Sequence, residues 1–274
     1  MTARELGPRH PQVQRLRALV RDRPARAAEH AFVLEGPRLV TAALDRGTPL
    51  EAVFLGYRAR PAFGPLVERL EASGVPVLDL REGVLEKVGA TRTPQPVLGV
   101  APIRAASLPG LPARGDVLVA VGVADPGNLG TILRGAEAAG VAGVVVADES
   151  VDPYNPKAVR ASAGAVLGVP IVEVADAATA LDALGGTGRR RVGTAARGGR
   201  PVDELDPAVP VALVVRNEAR GLDDDLAARL DAVVTVPMHG AADSLNVAMA
   251  TTVVLFDLDR RRAAHRAADS GAPA

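Results

Sequence analysis

Residues 116–140 read DVLVAVGVADPGNLGTILRGAEAAG, which is an apolar run, a polar turn and a helical pattern in succession. The run of Val, Leu and Ala has the near-continuous hydrophobicity of a parallel strand that is covered on both faces. Similar runs follow along the chain, and helical stretches separate most of them. We therefore predict a parallel sheet flanked by helices, with a ligand site at the carboxyl ends of its strands.

Shorter strands alternate with helices before this region, which is typical of a small α/β domain. The amino-terminal region begins with a basic amphipathic segment and predicts helices from about Pro37 to Asp45 and at Gly64–Ser73. The predicted strands of the whole chain are Phe32–Leu34, Ala52–Leu55, Pro76–Asp79, Asp116–Val123, Gly143–Ala147, Ile171–Val174, Arg191–Ala195, Val211–Val215 and Ala232–Val236.

A Pro- and Gly-rich stretch, RAASLPGLPARG at residues 104–115, has no hydrophobic periodicity and is typical of an interdomain linker. We predict a first domain of residues 1–104, a linker of residues 105–115 and a second domain of residues 116–274. A chain of 274 residues is long enough for two domains, each with its own core.

The composition excludes several kinds of site. The chain has no Cys, so disulfides, thiolate zinc sites and cysteine nucleophiles are excluded, and its four scattered His imply no metal. No stretch approaches the roughly 18 uninterrupted apolar residues of a membrane span, and the amino terminus lacks an apolar signal core, so we expect a cytoplasmic protein.

Charge and aromatic content bear on nucleic-acid binding. The 32 basic and 32 acidic residues balance, which argues against a uniformly basic surface. With four Phe, two Tyr and no Trp, a module that grips single strands by aromatic stacking is disfavoured. The phosphate-binding patterns GxxxxGK[ST] and GxGxxG are absent, which disfavours a Rossmann-type oxidoreductase.

The first of three candidate motifs is DPGNLG at residues 125–130, which follows the apolar run and opens a helix. Locally it reads as a turn in which Asn128 caps the helix. Arg134 follows about one and a half helical turns later, so its guanidinium is expected near the strand ends, where a phosphate or hydroxyl would suit it.

The second motif, VVRNEARGL at residues 214–222, is the end of an apolar strand followed by charged residues and a Gly. An acid at the carboxyl end of a central strand is a functional-site candidate by its position. A solvated loop is an equally good local interpretation, so both stay open.

The third motif, VPMHGAADSLNV at residues 236–247, precedes the last predicted helix, from about Ser244 to Arg262. Asp243 and Ser244 suit a helix cap, while Asn246 is expected in the buried first turn, where its amide needs partners. The first half of this helix is apolar nearly all round and must be covered on several sides, so we expect a second subunit against it.

Together the three motifs are more specific than any one of them. N-x-G-x-x-x-R-x-A-x-x-x-G from Asn128, N-E-x-x-G-L from Asn217 and P-M-x-G-x-x-x-S-L-N-V-A from Pro237 resemble, in order and spacing, the SpoU/TrmH family of the SPOUT superfamily. These are RNA ribose 2′-O-methyltransferases that use S-adenosylmethionine. Residues 152–164 are similar to a further family segment, and residues 32–36 and 93–98 to its ribosomal-protein-like substrate-binding domain, so the resemblance covers most of the chain.

The resemblance implies a deep trefoil knot at the carboxyl end, a bent cofactor in that knot and a homodimer formed through the last helix. It implies a reaction centre made of Asn128, Arg134, Glu218, Ser244 and Asn246. The cofactor-binding residues that it implies are Thr194, Ala195, Ala196, Val215, Arg216, Asn217, Glu218, Gly221, Val236, Pro237, Met238, Ser244, Leu245 and Asn246.

In the reaction that the resemblance implies, a ribose hydroxyl oxygen attacks the sulfonium methyl group and the hydroxyl loses its proton. A guanidinium is a poor base, so we expect Arg134 to hold the phosphate or stabilise the forming alkoxide. Asn128 and Glu218 would orient Arg134, whereas Ser244 and Asn246 would order the cofactor loop.

The chain departs from the family pattern at Arg216, where the family usually has Gly, and at Ala219, where many members have Gly. Gly is used where the backbone takes positive φ or approaches a ligand closely, and Arg adds a long side chain there. Two hypotheses follow: an active methyltransferase of ribosomal or transfer RNA, and an RNA-binding protein whose cofactor site is impaired by Arg216.

Despite the zero net charge, basic residues are concentrated in two places. Residues 1–30 hold seven Arg and three acids, and residues 186–200 hold five Arg and no acid. Arg gives bidentate contacts to phosphate. We therefore predict an RNA-binding face that includes Arg15, Arg17 and Arg21, and the segment after the second strand of the sheet adds Arg160.

Overall fold

The computed structural model describes residues 5–91, 93–216, 224–240 and 244–269. The elements up to residue 104 are α1 Pro11–Arg21, α2 Arg23–Glu29, β1 Ala31–Glu35, α3 Pro37–Asp45, β2 Ala52–Leu55, α4 Gly64–Ala72, β3 Val77–Asp79, α5 Leu85–Val88 and β4 Val97–Pro102. Those that follow are β5 Val117–Val121, α6 Pro126–Ala138, β6 Gly143–Ala147, α7 Pro156–Ala161, β7 Ile171–Glu173, α8 Ala177–Gly185, β8 Arg190–Thr194, β9 Arg200–Pro201, β10 Val211–Arg216, α9 Asp224–Ala228, β11 Ala232–Thr235 and α10 Val247–Asp269.

Contacts within the chain divide it into two compact units. The first comprises the described residues up to Arg104 together with Asp152–Gly168, and the second comprises Ala105–Val151 and the described residues from Val169 onward. The segment Asp152–Gly168 thus packs in the first unit, whereas the sequence analysis assigns it to the second domain. Within the predicted linker, Leu111 is buried and joins the core of the second unit.

The first unit is built on a four-stranded sheet in the order β1-β4-β2-β3. Strand β4 is antiparallel to both β1 and β2, and β2 is parallel to β3. The sequence analysis did not predict β4, because its apolar run VLGVAP has no alternation and carries a Gly and a Pro. It is a central strand and is buried over Val97–Ala101.

Helix α1 confirms the predicted amphipathic start. Its apolar residues Val13, Leu16, Leu19 and Val20 are buried and join the core of the first unit. Their spacing places them on one helical face, which leaves the arginines between them on the other faces.

The second unit contains a seven-stranded, wholly parallel sheet in the order β7-β6-β5-β10-β8-β11-β9. The six strands predicted for this sheet are all present, and the two-residue edge strand β9 was not predicted. Alternate residues of β5, Val117, Val119 and Val121, share a core with α8 and α9, and the intervening Leu118 and Ala120 are equally buried. This two-sided burial is what the continuous apolar run predicts.

Helices α6 and α10 pack closely against each other. Gly135 makes this approach possible, since a Cβ built on it would lie 2.7 Å from Oγ1 of Thr252. The predicted last helix is confirmed, but it begins at Val247 rather than at Ser244 and continues to Asp269.

Candidate active site at the carboxyl edge of the parallel sheet

Four adjacent strands of the second unit, in the order β5-β10-β8-β11, end at one edge of the sheet because all of them are parallel. Thr194 is the last residue of β8, Arg216 is the last of β10, and Val236 follows β11. The carboxyl edge of a parallel sheet is where α/β proteins bind ligands. The fold therefore gathers three segments that the sequence analysis assigns to the cofactor.

The first and third motifs meet directly. The side-chain amide of Asn246 donates a hydrogen bond from Nδ2 to Oδ1 of Asn128, with a donor–acceptor distance of 3.1 Å. The two residues are 118 positions apart in the chain, so only the tertiary fold brings them together.

The local role predicted for Asn128 was wrong. The residue that caps α6 is Asp125, whose Oδ1 accepts a hydrogen bond from the backbone N–H of Asn128 at 2.8 Å. Asn128 lies inside the first turn, because Pro126 occupies the first helical position, which Pro favours. The cap leaves the Asn128 side chain available for Asn246.

The buried position predicted for Asn246 was also wrong. Asn246 precedes the helix, is exposed, and accepts a hydrogen bond on Oδ1 from the backbone N–H of Ala248 at 2.9 Å. One side chain thus caps α10 and contacts α6, which fixes the start of the last helix relative to Asn128. Ser244 is exposed and Leu245 is partly buried.

Arg134 lies in α6, about 9 Å along the helix axis from Asn128. Its side chain is exposed, and within the described part of the chain no hydrogen bond or ion pair holds it. Helical side chains lean toward the amino terminus of their helix, so the guanidinium can reach back toward Asn128. An exposed guanidinium on the helix that carries Asn128 is suited to an anionic or developing negative group.

The strand ends have the small apolar side chains and backbone groups that a nucleoside-sized ligand requires. Val215 is buried beside Ala120 of β5, and Thr194 is partly buried beside Val234 of β11. The hydroxyl of Thr194 donates to the carbonyl oxygen of Val214 at 3.4 Å. These residues fit a cofactor with an adenosine moiety.

Several predicted cofactor residues complete this edge or fall outside the described residues. Arg216 is partly buried and pairs in register with Val121. The other described positions are Ala195, Val236 and Met238, which are partly buried, and Ala196 and Pro237, which are exposed. Asn217, Glu218, Ala219 and Gly221 lie outside the described residues.

Ser150 helps to hold the segments at the carboxyl edge of the sheet, and it was not predicted from the sequence. Its hydroxyl oxygen accepts a hydrogen bond from the backbone N–H of Val123 at 3.0 Å and donates to the carbonyl oxygen of Ala147 at 2.6 Å. It therefore ties the end of β6 to the segment that leads into α6. A buried Ser just after a strand was the available signal, but its partner is 27 residues away.

The arginines predicted to contact RNA differ in their surroundings. Arg15 is held by Glu29 and Glu51; burial lowers its pKa, but hydrogen bonds to these two carboxylates outweigh that effect and raise it. Arg17 is exposed, and Arg21 donates to the carbonyl oxygen of Lys87 at 2.9 Å.

Arg160 forms an ion pair with the buried carboxylate of Glu35 at 2.8 Å, and its side chain stays 31% exposed. It therefore retains surface for another partner.

The arginine-rich run at residues 186–200 is partly structural. Arg189 is buried and donates to the carbonyl oxygen of Gly115 at 2.8 Å. Burial lowers the pKa of its guanidinium, and the attraction of Asp116 opposes that shift. Arg191 pairs with Asp231 and lowers the pKa of that carboxyl, mainly through the side-chain hydrogen bond.

Two known protein families match parts of this chain. Residues 116–256 match the SpoU rRNA Methylase family, and residues 10–99 match the MRM3-like substrate binding domain. The chain belongs to the SpoU rRNA methylase family. The resemblance inferred from the three motifs is thereby confirmed.

Two SpoU relatives align over most of the chain. One is the 23S rRNA (uridine(2479)-2′-O)-methyltransferase of Streptomyces viridochromogenes, which is 31% identical over 97% of this chain and 95% of its own length. The other is the 23S rRNA (guanosine(2553)-2′-O)-methyltransferase RlmP of Bacillus subtilis, which is 33% identical over 85% of this chain and 90% of its own length.

Solved SpoU structures have the same fold. An AdoMet-bound rRNA methyltransferase from Sinorhizobium meliloti superposes with a TM-score of 0.81 at 32% identity, over 94% of this chain and 98% of that one. The methyltransferase AviRb from Streptomyces viridochromogenes, in complex with AdoMet, gives 0.81 at 29% identity, over 93% of this chain and 99% of that one. These likenesses support S-adenosylmethionine as the cofactor.

Within residues 5–91, 93–216, 224–240 and 244–269, no group of three or more His, Asp or Glu is placed to hold a metal ion. In the same residues, no helix has both the length and the apolar character needed to cross a bilayer.

Proposed function

We propose that this SpoU enzyme transfers a methyl group from S-adenosylmethionine to a ribose 2′-hydroxyl of ribosomal RNA, with its reaction centre at the carboxyl edge of the parallel sheet. The observation that carries the proposal is the hydrogen bond between Asn246 and Asn128, which joins two of the three family motifs at that edge. The two relatives named above, both methyltransferases of 23S rRNA, support ribosomal over transfer RNA.

The cofactor supplies an electrophilic methyl group on a sulfonium. In our proposal Thr194, Val215 and Val236 contact it at the strand ends, and Asn246 orders the loop that leads into α10. Arg134 holds the phosphate beside the target ribose and stabilises the alkoxide that forms as the hydroxyl releases its proton to solvent. Asn128, fixed by Asn246, orients Arg134, and we assign the same task to Glu218.

The experiment that tests this function measures cofactor binding and methylation separately. Calorimetric titration of wild-type protein with S-adenosylmethionine is expected to show one site. Mapping of protected ribose positions in ribosomal RNA, from cells with and without the protein, is expected to show a methyl group that depends on it.

Arg216→Gly is the informative variant for the competing hypothesis of an impaired cofactor site. We expect wild type to bind S-adenosylmethionine and the variant to bind it with an affinity within about threefold, which is below 1 kcal/mol. Binding that is absent in wild type and restored by Arg216→Gly would show that Arg216 blocks the site. That result would favour an RNA-binding protein over an enzyme.

We infer a trefoil knot in the second unit. The strand order supports it: β10 lies between β5 and β8, while the next strand, β11, lies on the far side of β8. The connection from β10 to β11 therefore passes from one side of β8 to the other, and we infer from the family resemblance that it does so through a knot, which ordinary topologies avoid.

We also propose a homodimer formed through α10. Met249, Val253 and Phe256 are 58%, 42% and 44% exposed, and their spacing places them on one face of the helix. A contiguous apolar stripe of this kind on a helix is typical of a protein interface.

Val253→Glu is expected to convert the dimer to a monomer, because it places a charge in the centre of the apolar stripe. Sedimentation velocity measures the change, and Val253→Ile, which keeps the surface apolar, is expected to remain dimeric. A dimer that persists unchanged in Val253→Glu would place the interface elsewhere.

We assign RNA binding to the first unit, which contains the residues that match the MRM3-like substrate binding domain. Arg17 and Arg160 are its best candidates among the arginines predicted from sequence, since Arg15 already contacts two carboxylates. We keep residues 105–115 as a linker, with Asp152–Gly168 assigned to the first unit although it follows the linker in the chain. A ribosomal RNA substrate favours the cytoplasm as the site of action.

A further inference from the structure

An exposed aromatic ring lies just beyond the carboxyl end of β2 in the first unit. Tyr57 keeps 37% of its surface exposed. Among the described residues, Phe256 is the other aromatic side chain with comparable exposure, and it belongs to the apolar stripe of α10. A single exposed ring is ordinary in itself, so its surroundings decide whether it binds a ligand.

One face of the Tyr57 ring is covered by the guanidinium of Arg58, whose Cζ lies 4.9 Å from the ring centroid. Within the described residues no carboxylate or carbonyl oxygen bonds the Arg58 side chain, whereas Arg60, two positions on, donates to Asp79 and to the carbonyl oxygen of Val77. Arg58 thus keeps its donors for an external group, and Tyr57 keeps 37% of its surface exposed although Arg58 covers one face of its ring.

The backbone holds Arg58 in an unfavourable conformation. Residues 56–59 form a turn closed by a hydrogen bond from the N–H of Ala59 to the carbonyl oxygen of Gly56 at 2.9 Å, and Arg58 within it has φ +55°. Turn positions with positive φ favour Gly or Asn. Strained non-glycine residues concentrate at functional sites, and the turn alone gives no reason for Arg here.

The same edge of the sheet carries a second cation. The carboxyl ends of β1 and β2 lie at one edge because β4 is antiparallel to both. At that edge Glu35, the last residue of β1, holds Arg160 and accepts a hydrogen bond from the backbone N–H of Gln95 at 3.2 Å. The next residue, Pro96, accepts one from the N–H of Gly56 at 2.8 Å. Arg160 and the Tyr57 turn therefore flank one short loop, and strands β1 and β2 are about 10 Å apart.

We propose that Tyr57, Arg58 and Arg160 form a surface, here called the stacking edge, that binds unpaired nucleotides of the RNA substrate. One base stacks on the open face of Tyr57, and the guanidinium groups of Arg58 and Arg160 contact phosphates. A single ring suffices for one base, which is compatible with the low aromatic content of the chain. This inference rests on the proposed function, since it takes RNA as the substrate.

The first test measures the affinity of the full-length protein for a fluorescein-labelled single-stranded 12-mer of adenylate, by anisotropy at several salt concentrations. Tyr57→Ala is expected to weaken binding about tenfold or more, and Tyr57→Phe to leave it within about twofold, since stacking needs the ring and not the hydroxyl. The slope of log affinity against log salt is expected to be the same in Tyr57→Ala and wild type, because no phosphate contact is lost.

Arg58→Gly tests the cation without disturbing the turn, since Gly adopts φ +55° without strain. We expect weaker binding and a salt slope reduced by about 0.7, the value for one phosphate contact on a single strand. Arg69→Ala is the matched control, because Arg69 is an exposed arginine of α4 that pairs with Asp45.

A direct readout comes from the tyrosine emission. The chain has no Trp and two Tyr, and Tyr154 is only 5% exposed and packs against Phe32. In Tyr154→Phe, the emission therefore reports on Tyr57 alone. We expect saturable quenching by the single-stranded 12-mer and none by a blunt RNA duplex of the same length.

The inference is overturned if wild type does not bind the 12-mer, if Tyr57→Ala binds it as tightly as wild type, or if Tyr57→Ala lowers the salt slope as much as Arg58→Gly does. Its failure can be told apart from failure of the proposed function. If wild type methylates ribosomal RNA and Tyr57→Ala has the same KM for RNA as wild type, the stacking edge alone is refuted. Tyr57-dependent binding of the 12-mer without methyl transfer refutes the proposed function alone.

Discussion

Arg134→Ala is expected to lower kcat about 100- to 1,000-fold, the usual effect of removing a group that stabilises negative charge in a transition state. Affinity for S-adenosylmethionine is expected to stay within about twofold, since Arg134 lies on α6 and not at the ends of β8, β10 or β11. Single-turnover methyl transfer to ribosomal RNA measures the first quantity, and calorimetry measures the second.

Stability separates this role from a structural one. Arg134 is exposed and no described residue holds it. The free energy of unfolding of the variant is therefore expected to lie within about 0.5 kcal/mol of that of wild type. Arg134→Lys is the conservative control, and we expect it to recover only part of the rate because it keeps the charge but not the planar fork. Full activity in Arg134→Ala would remove Arg134 from the reaction centre.

Arg26→Ala is expected to produce the largest loss of stability. Arg26 and Asp152 form a buried ion pair at 2.6 Å, with side chains 4% and 7% exposed, and Arg26 also donates to the carbonyl oxygen of Leu19 at 2.7 Å. The variant leaves the Asp152 carboxylate buried without its cation. Such losses cost about 3–5 kcal/mol, which should lower the thermal midpoint of the first unit by about 12–20 °C.

The control for this prediction is Arg69→Ala, which breaks an exposed pair with Asp45 and should cost less than about 1 kcal/mol. Calorimetric scans of both variants measure the difference. Asp152 also accepts a hydrogen bond from the backbone N–H of Tyr154, so loss of the pair should loosen the segment Asp152–Gly168. Hydrogen exchange checks this: relative to wild type, the variant is expected to exchange faster in that segment but not in β5. Equal protection of the segment in the two proteins would contradict the prediction.

Much of the fold could be predicted from local pattern. Runs such as Val117–Val121 and Val211–Val215 are apolar because both faces of their strands are buried. Each run therefore predicts a buried parallel strand without reference to the rest of the chain. The spacing of apolar residues in α1 likewise gave its buried face. Strand β4 escaped prediction because its run lacks alternation, and its partners β1 and β2 are distant in sequence.

The motifs predicted which residues belong to the candidate site, but they did not predict its geometry. Three motifs named Asn128, Arg134 and Asn246, yet the cap at Asp125 and the exposure of Asn246 were both predicted incorrectly. Asn and Asp are equally favoured as N-caps, but Pro126 at the first helical position places the cap at Asp125, a local signal that the sequence prediction did not use. The contact between Asn128 and Asn246 could not be predicted from local rules, because it joins residues 118 positions apart in the chain.

The sequence by itself determined the family and the alternation of strands and helices, and it predicted a set of residues for the reaction centre, because motifs and short-range periodicity carry these features. The tertiary structure decided which charges remain available. Arginines that look alike in the sequence have different partners in the folded chain. Arg26 is buried against Asp152, and Arg15 pairs with Glu29 and Glu51. The guanidinium of Arg58 lies over the ring of Tyr57. The physical reason is that a charge is neutralised by whatever lies within a few ångströms of it, and only the folded chain sets those distances.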